Sequence, residues 1–135
     1  MTDFRRVTDH LSVSPQITPT DVARAKALGF TMLVNNRPDG EVEGQPLNAD
    51  IEAAARAAGL AYAFIPVRGM PTAEQVEANR RAIESSDGPV LAFCRTGTRC
   101  INTWSIGERL AGRDRDELVK VGAAAGYDLS GVLPG

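Results

Sequence analysis

Pro89-Val90-Leu91-Ala92-Phe93-Cys94-Arg95-Thr96-Gly97-Thr98-Arg99-Cys100 is the stretch on which the reading of this chain turns. Val90 to Phe93 form a short apolar run of β type, and they deliver Cys94 into a glycine-containing turn. Helical periodicity begins as Arg99 closes that turn. A cysteine at the end of a buried strand, below a helix N-terminus, sits where backbone N–H groups and the helix dipole favour negative charge. Free cysteine titrates near pH ~8.5, and lowering that by roughly two units takes about 2.7 kcal/mol of differential stabilisation. Gly97 can adopt positive φ and turn N–H groups inward. Arg99 carries a planar fork suited to oxyanions, with Arg95 adding charge. Cys94 is therefore expected to be a nucleophilic thiolate in an anion-binding cradle made of Arg95, Thr96, Gly97, Thr98, Arg99 and Cys100. A lone strand-end cysteine is more often a small core hydrophobe. The order Cys, Gly, Arg directly after a strand is what argues against packing alone.

Outward from the loop, strand and helix signals alternate. Leu11 to Val13, Thr31 to Val34, Leu60 to Val67 and Val90 to Phe93 read as strands. Thr18-Pro19-Thr20-Asp21 opens a helix that runs to Gly29, and Thr72 with Gln75 forms a capping box for another. A helix is expected from Pro46 to Ala58, one after the cysteine loop carrying Ile101, Trp104 and Leu110, and a last one capped by Asp114 with Glu117. The pattern predicts an α/β fold, with a mostly parallel central sheet of four to five strands flanked by helices. Ligands of such sheets bind beyond the carboxyl ends of the strands. The loop Asn35-Asn36-Arg37-Pro38-Asp39-Gly40-Glu41 opens on that edge too, which brings Arg37, Asp39 and Glu41 near Cys94; as sequence, Pro-Asp-Gly is equally a solvated turn.

Length and composition fit a small enzyme domain. A chain of 135 residues is expected to be one domain, 1–135, with 43% hydrophobic residues and 15 basic against 17 acidic side chains. That balance argues against nucleic-acid or membrane-surface partners. No apolar run approaches a membrane span and the N-terminus lacks a signal-type core, so a cytoplasmic protein with reduced cysteines is expected. Two cysteines and a single histidine give no zinc spacing, and no metal or cofactor is called for. His10 has no evident way to serve Cys94 as a base.

The segments Leu33 to Glu41, Ile65-Pro66-Val67, Cys94 to Arg99 and Gly126-Tyr127-Asp128-Leu129 together resemble the phosphatase-like domain of bacterial beta-lactamase-hydrolase-like proteins. The resemblance spans nearly the whole chain. It implies the fold of dual-specificity protein tyrosine phosphatases, and two activities attach to it. Members have been labelled phosphatases; where fused to a persulfide-oxidising metallo-hydrolase domain, they look like sulfurtransferases.

Three departures from the phosphatase pattern bear on the choice. Tyrosine phosphatases carry His-Cys-x5-Arg, whereas Phe93-Cys94 is followed by only four residues before Arg99. The missing residue removes about 3.3–3.6 Å of contour. Cys-Arg-x-Gly-x-Arg instead resembles the active loop of rhodanese-type sulfurtransferases. Arg68-Gly69 stands where dual-specificity phosphatases place an acid, so that Asp39 is left as the candidate general acid. Cys100 replaces the Ser or Thr that would follow the arginine.

The first expectation is thus a cysteine-dependent sulfurtransferase of rhodanese-like activity. Cys94 would take sulfur from thiosulfate, a persulfide or a mercapto-acid and pass it to a thiol acceptor, with a separate persulfide-oxidising hydrolase as partner in trans. The alternative is a phosphatase, a phosphomonoester hydrolase working through phosphocysteine. The third is a redox-sensing or binding module using Cys94 and Cys100.

Overall fold

A computed structural model describes residues 1–133. Five strands form one sheet: β1 (Arg5–Arg6), β2 (Leu11–Ser14), β3 (Met32–Asn35), β4 (Ala61–Phe64) and β5 (Val90–Phe93). Their order is β1-β2-β5-β3-β4, with β1 antiparallel to β2 and the remaining pairs parallel. Helices α1 (Pro19–Ala27), α2 (Asn48–Ala57), α3 (Ala73–Ser85), α4 (Thr98–Leu110) and α5 (Arg115–Ala124) supply the connections and cover the faces. β2, β3 and β5 are buried throughout. This is why Met32 to Val34 and Val90 to Phe93 read as unbroken apolar runs, whereas β2 alternates apolar residues with the buried Ser12 and Ser14.

Period-two geometry sorts β5 between two cores. Leu91 and Phe93 join Ile17, Val22, Leu33, Ile51 and Leu60 on the side of α1 and α2. Val90, Ala92 and then Cys94 join Val13, Val34, Ile101, Trp104 and Leu118 on the other side. Cys94 is therefore the last side chain of the α4–α5 core. Ser14, Asn35 and Phe93 end their strands in register, and Phe64 pairs with Asn35. The loops that follow all leave one edge of the sheet.

The local helix signals operate as expected. Thr18 and Asp21 make a reciprocal capping box, Thr72 and Gln75 another, and the Asp114 side chain accepts from the Glu117 amide. Several limits differ from expectation by a residue or two, and three differences have a clear physical cause. The strand expected over Leu60 to Val67 is only Ala61–Phe64, because Pro66 has no N–H to give the ladder. Helix α2 starts at Asn48 rather than Pro46, at the point where the Asp39 carboxylate accepts the Asn48 amide at 2.7 Å. Arg5 and Arg6 are exposed, as their charge suggests, yet they form the edge strand β1. His10 lies half-buried just before β2, with Nε2 at 2.9 Å from the Ile83 carbonyl.

Helix α5 returns the chain to the cysteine loop, and Gly122 sets how closely it can do so. A methyl group there would meet Leu129 Cδ1 at 2.6 Å and the Tyr127 carbonyl oxygen at 3.3 Å. Leu129 is wholly buried and has nowhere to retreat. Gly122→Ala gains up to about 1 kcal/mol of helix propensity, against about 1–3 kcal/mol for overpacking. The expected result is net loss of stability, read as a lower denaturation midpoint at unchanged m-value.

Candidate functional site

Cys94 leaves β5 with no exposed surface, and residues 95–97 wrap around its sulfur before α4 begins. Gly97 is the N-cap of α4 at φ 89°, a left-handed conformation that glycine adopts without strain. It offers no capping side chain, so the first amides of the helix are left for an anion. The Gly97 amide donates to Cys94 Sγ at 3.1 Å. The Cys94 thiol is lowered to about 5. The largest cause is the Cys100 thiol donating to Cys94 Sγ; burial opposes it, and the backbone amides of Cys100, Thr96 and Arg99 add to it. Cys100 shifts the opposite way, pushed well up by its complete burial and by the neighbouring Cys94. Both cysteines are free and buried, and their pKa values move in opposite directions.

Arg99 reaches across the edge of the sheet to Glu41. Its Nη1 donates to Glu41 Oε2 at 2.7 Å and Nη2 donates to Oε1 at 2.7 Å, while Nη1 also donates to the Val67 carbonyl at 2.9 Å. Of the ~5 N–H groups of a guanidinium, these contacts leave the Nε–H and one Nη2–H. They lie side by side on the adjacent edge of the planar group, the pairing an oxyanion accepts.

Glu41 is also held by Arg37, whose Nε donates to Oε1 at 2.9 Å and whose Nη1 donates to Gln16 Oε1 at 3.1 Å. Arg37 is 3% exposed. Hydrogen bonds from Arg99 foremost, and then from Arg37, hold the Glu41 carboxyl down at about 2, against some opposition from burial.

The structure thus joins Cys94, Arg99, Glu41 and Arg37 in one connected site. Asp39 accepts the Asn48 amide through Oδ1 at the start of α2 and also lines an open hollow with Pro38, Phe64, Pro66 and Arg68. Arg95 and Thr98 are exposed, and the Thr96 hydroxyl donates to Thr98 Oγ1 at 2.9 Å on the outer side of the loop. Sequence reasoning placed Glu41 only in a neighbouring loop and missed that it grips Arg99. It missed Gln16 and the Val67 carbonyl as well; Ile65-Pro66-Val67 was singled out, but as a strand. An open hollow of about 540 Å³ flanks Val67, lined by Pro38, Phe64, Pro66, Arg68 and Met70 among others. A separate cavity of about 190 Å³ between α3 and α4, lined by His10, Asn79 and Trp104 among others, includes no residue of the cysteine loop. Among the described residues no cluster of metal-ligating side chains occurs, and no helix is long and apolar enough to cross a membrane.

Two predictions follow from these partners. Cys94 is expected to titrate near pH 5 by thiolate absorbance, and Cys100 to stay protonated through the neutral range; a single thiolate midpoint near pH ~8.5 would refute the cradle. Glu41 is depressed from an ordinary 4.5 to about 2, so its pairing stabilises the fold fully above pH 4.5 and is lost as pH falls towards 2. Glu41→Gln is expected to remove that portion of the acid limb in thermal melts across pH.

Comparison with known proteins adds the lineage. The family described as the phosphatase-like domain of beta-lactamase hydrolase-like proteins matches residues 3–111. A beta-lactamase hydrolase-like protein of Agrobacterium fabrum is 38% identical over 126 residues, 92% of this chain. One from Xylella fastidiosa is 39% identical over 125 residues, 91% of the chain. The chain spans only 29% of the length of either relative. Among solved structures, a candidate phosphatase of Neisseria meningitidis superposes with a TM-score of 0.85 at 35% identity, covering 95% of this chain and 92% of that one. Tk-PTP in its active form gives 0.71 at 18% identity, covering 94% and 87%, a likeness of fold.

Proposed function

The chain belongs to the phosphatase-like domain family of beta-lactamase hydrolase-like proteins, and on that premise we propose that it is a cysteine-dependent phosphatase for esters with good leaving groups. One observation carries the reading: a thiolate lowered to about 5 lies in a loop of inward amides, beside an arginine whose free edge faces away from its Glu41 partner. Cys94 Sγ attacks phosphorus, the P–O bond to the leaving group breaks, and the leaving oxygen departs with the electron pair. The Arg99 fork and the loop amides take up charge on the equatorial oxygens. Water then attacks the phosphocysteine, the P–S bond breaks, and the thiolate is restored with the proton lost to solvent.

The restriction on substrates comes from the carboxylates. Glu41 is ionised and bound at both oxygens by arginines, and Asp39 Oδ1 is bound by the α2 amide. Neither is poised to protonate a leaving alkoxide, a contribution of about 10²–10⁴-fold where it exists. Phenolates and phosphates leave without that help. The open hollow lined by Phe64, Pro66 and Met70, with Asp39, Arg68 and Gln75 also on its wall, offers apolar contact to an aryl group.

Sulfur transfer is the second reading, favoured by the four-residue spacing from Cys94 to Arg99 and by the same lack of a poised acid. It needs no proton on its leaving group: the thiolate takes the outer sulfur of thiosulfate and sulfite departs. We rank it second because the matching family is described as phosphatase-like and the Neisseria meningitidis structure as a candidate phosphatase.

The test is a series of phosphomonoesters of graded leaving-group acidity, run beside thiosulfate and glutathione persulfide, with Cys94→Ser as control. Aryl phosphates are expected to turn over at least about 10²-fold faster than alkyl phosphates. Equal rates across the series would contradict the assignment of roles. Intact-mass detection of one added sulfur on Cys94, with no phosphate released from any ester, would transfer the chain to the sulfurtransferases.

A further inference from the structure

The cysteine loop contains one peptide unit whose two ends are held by different parts of the molecule. Its N–H, on Gly97, donates to Cys94 Sγ at 3.1 Å. Its C=O, on Thr96, accepts the Tyr127 hydroxyl at 2.8 Å. In a trans peptide these two groups point in opposite directions. Fixing the carbonyl outward therefore aims the N–H inward. We propose that Tyr127 is a positioning residue that sets the orientation of the Thr96–Gly97 peptide and so keeps its N–H on the nucleophile.

The loop's own backbone does not secure that orientation. Rotating the plane changes ψ of Thr96 and φ of Gly97, and glycine accepts either sign of φ at little cost. The outward hydrogen bond supplies the preference. Tyr127 is itself well anchored. Its amide donates to the Gly122 carbonyl at 2.8 Å as the chain leaves α5, and the Arg5 guanidinium carbon lies 5.4 Å from its ring centroid. Two residues on, Leu129 is wholly buried. Burial, the largest influence on the phenol, raises its pKa, so the hydroxyl remains a donor across the working range.

The fit between the two residues is close. A Cβ at position 97 would stand 2.3 Å from Tyr127 Oη and 3.2 Å from Cζ. Glycine is required there by its φ of 89° and by the hydroxyl packed against it. The helix that carries Tyr127 to the loop thus has a role at the sulfur without touching it.

The proposal rests on Cys94 being the nucleophile, and its test is read without substrate, so its failure is distinguishable from failure of the phosphatase assignment. Thiolate absorbance is titrated in the full chain and in Tyr127→Phe, each corrected with its Cys94→Ser counterpart. Tyr127→Phe keeps the ring and its contact with Arg5. Loss of one N–H donor is expected to raise the midpoint by about one pH unit, which lowers the thiolate fraction at pH 5 about fivefold. Iodoacetamide labelling at that pH falls in parallel, while the thermal midpoint changes little. An unchanged titration midpoint would overturn the proposal. Gly97→Ala, which pushes the hydroxyl off the Thr96 carbonyl, is a second route to the same loss and serves if Tyr127→Phe folds poorly. Its shift is expected in the same direction, and the double variant should titrate like Gly97→Ala alone. Additive shifts would mean that the residues act independently, and would equally overturn the proposal.

Discussion

The carboxylate of Glu41 stands between two guanidiniums, and the edge of the sheet is organised around it. Arg37, nearly without exposed surface, comes from the same loop, and Arg99 comes from the first turn of α4. Arg37 is the deepest member, and removing the carboxylate would leave its buried guanidinium without a charge partner. Through Glu41, the loop after β3 is tied to the loop after β5. Through the second Nη1 hydrogen bond to Val67, both are tied to the segment after β4. Gln16, following β2, completes the ring by accepting from Arg37. Four strand ends are thereby held around one anion, and the cysteine loop is fixed to a rigid frame rather than to solvent.

Within that frame the two thiols settle the chemistry of the nucleophile. Burial alone would keep Cys94 protonated, as it does Cys100. What distinguishes them is position along the chain. Cys94 precedes the helix and collects inward amides, whereas Cys100 lies inside the first turn of α4 and contributes its proton. A hydroxyl at position 100 would donate more strongly than a thiol. The cradle compensates with backbone donors, including the Gly97 amide that the Tyr127 hydrogen bond orients from behind.

Features that depend on neighbouring residues were legible in the sequence. The run Val90 to Phe93, the turn at Gly97, the capping boxes at Thr18 and Thr72 and the helix stop near Gly29 are each decided within a few positions. The resemblance added the right lineage. The contacts that complete the site are long-range: Glu41 to Arg99 spans 58 residues and Tyr127 to Thr96 spans 31. Propensity and periodicity carry no signal for them, because each end is a loop or first-turn residue whose local role is already plausible. Asp39 illustrates the cost. Its carboxylate beside Pro38 and Gly40 reads as a candidate acid, and nothing local announces that it also accepts the first amide of α2, nine positions along the chain. β1 escaped notice for the opposite reason: two exposed arginines have no apolar signature, and only their ladder with Ser12 and Val13 makes them a strand.

The charges of the assembled site constrain what it can hold. Arg37 and Arg99 contribute two positive charges, and Glu41 with the Cys94 thiolate contribute two negative ones, so the connected groups sum to zero before any substrate enters. Attraction for an anion then rests on the free edge of Arg99, the amides at the start of α4 and the exposed Arg95 side chain, all of which are directional or peripheral. Such a site gains most from a compact anion whose oxygens meet those donors, and less from a large diffuse charge. It also explains why Glu41 is held so far down: a neutral carboxyl would leave two unbalanced guanidiniums, which would bind a product anion more tightly and slow its release. The carboxylate that fixes Arg99 in place also limits its grip. Fixing the arginine and moderating its charge are thus one physical act.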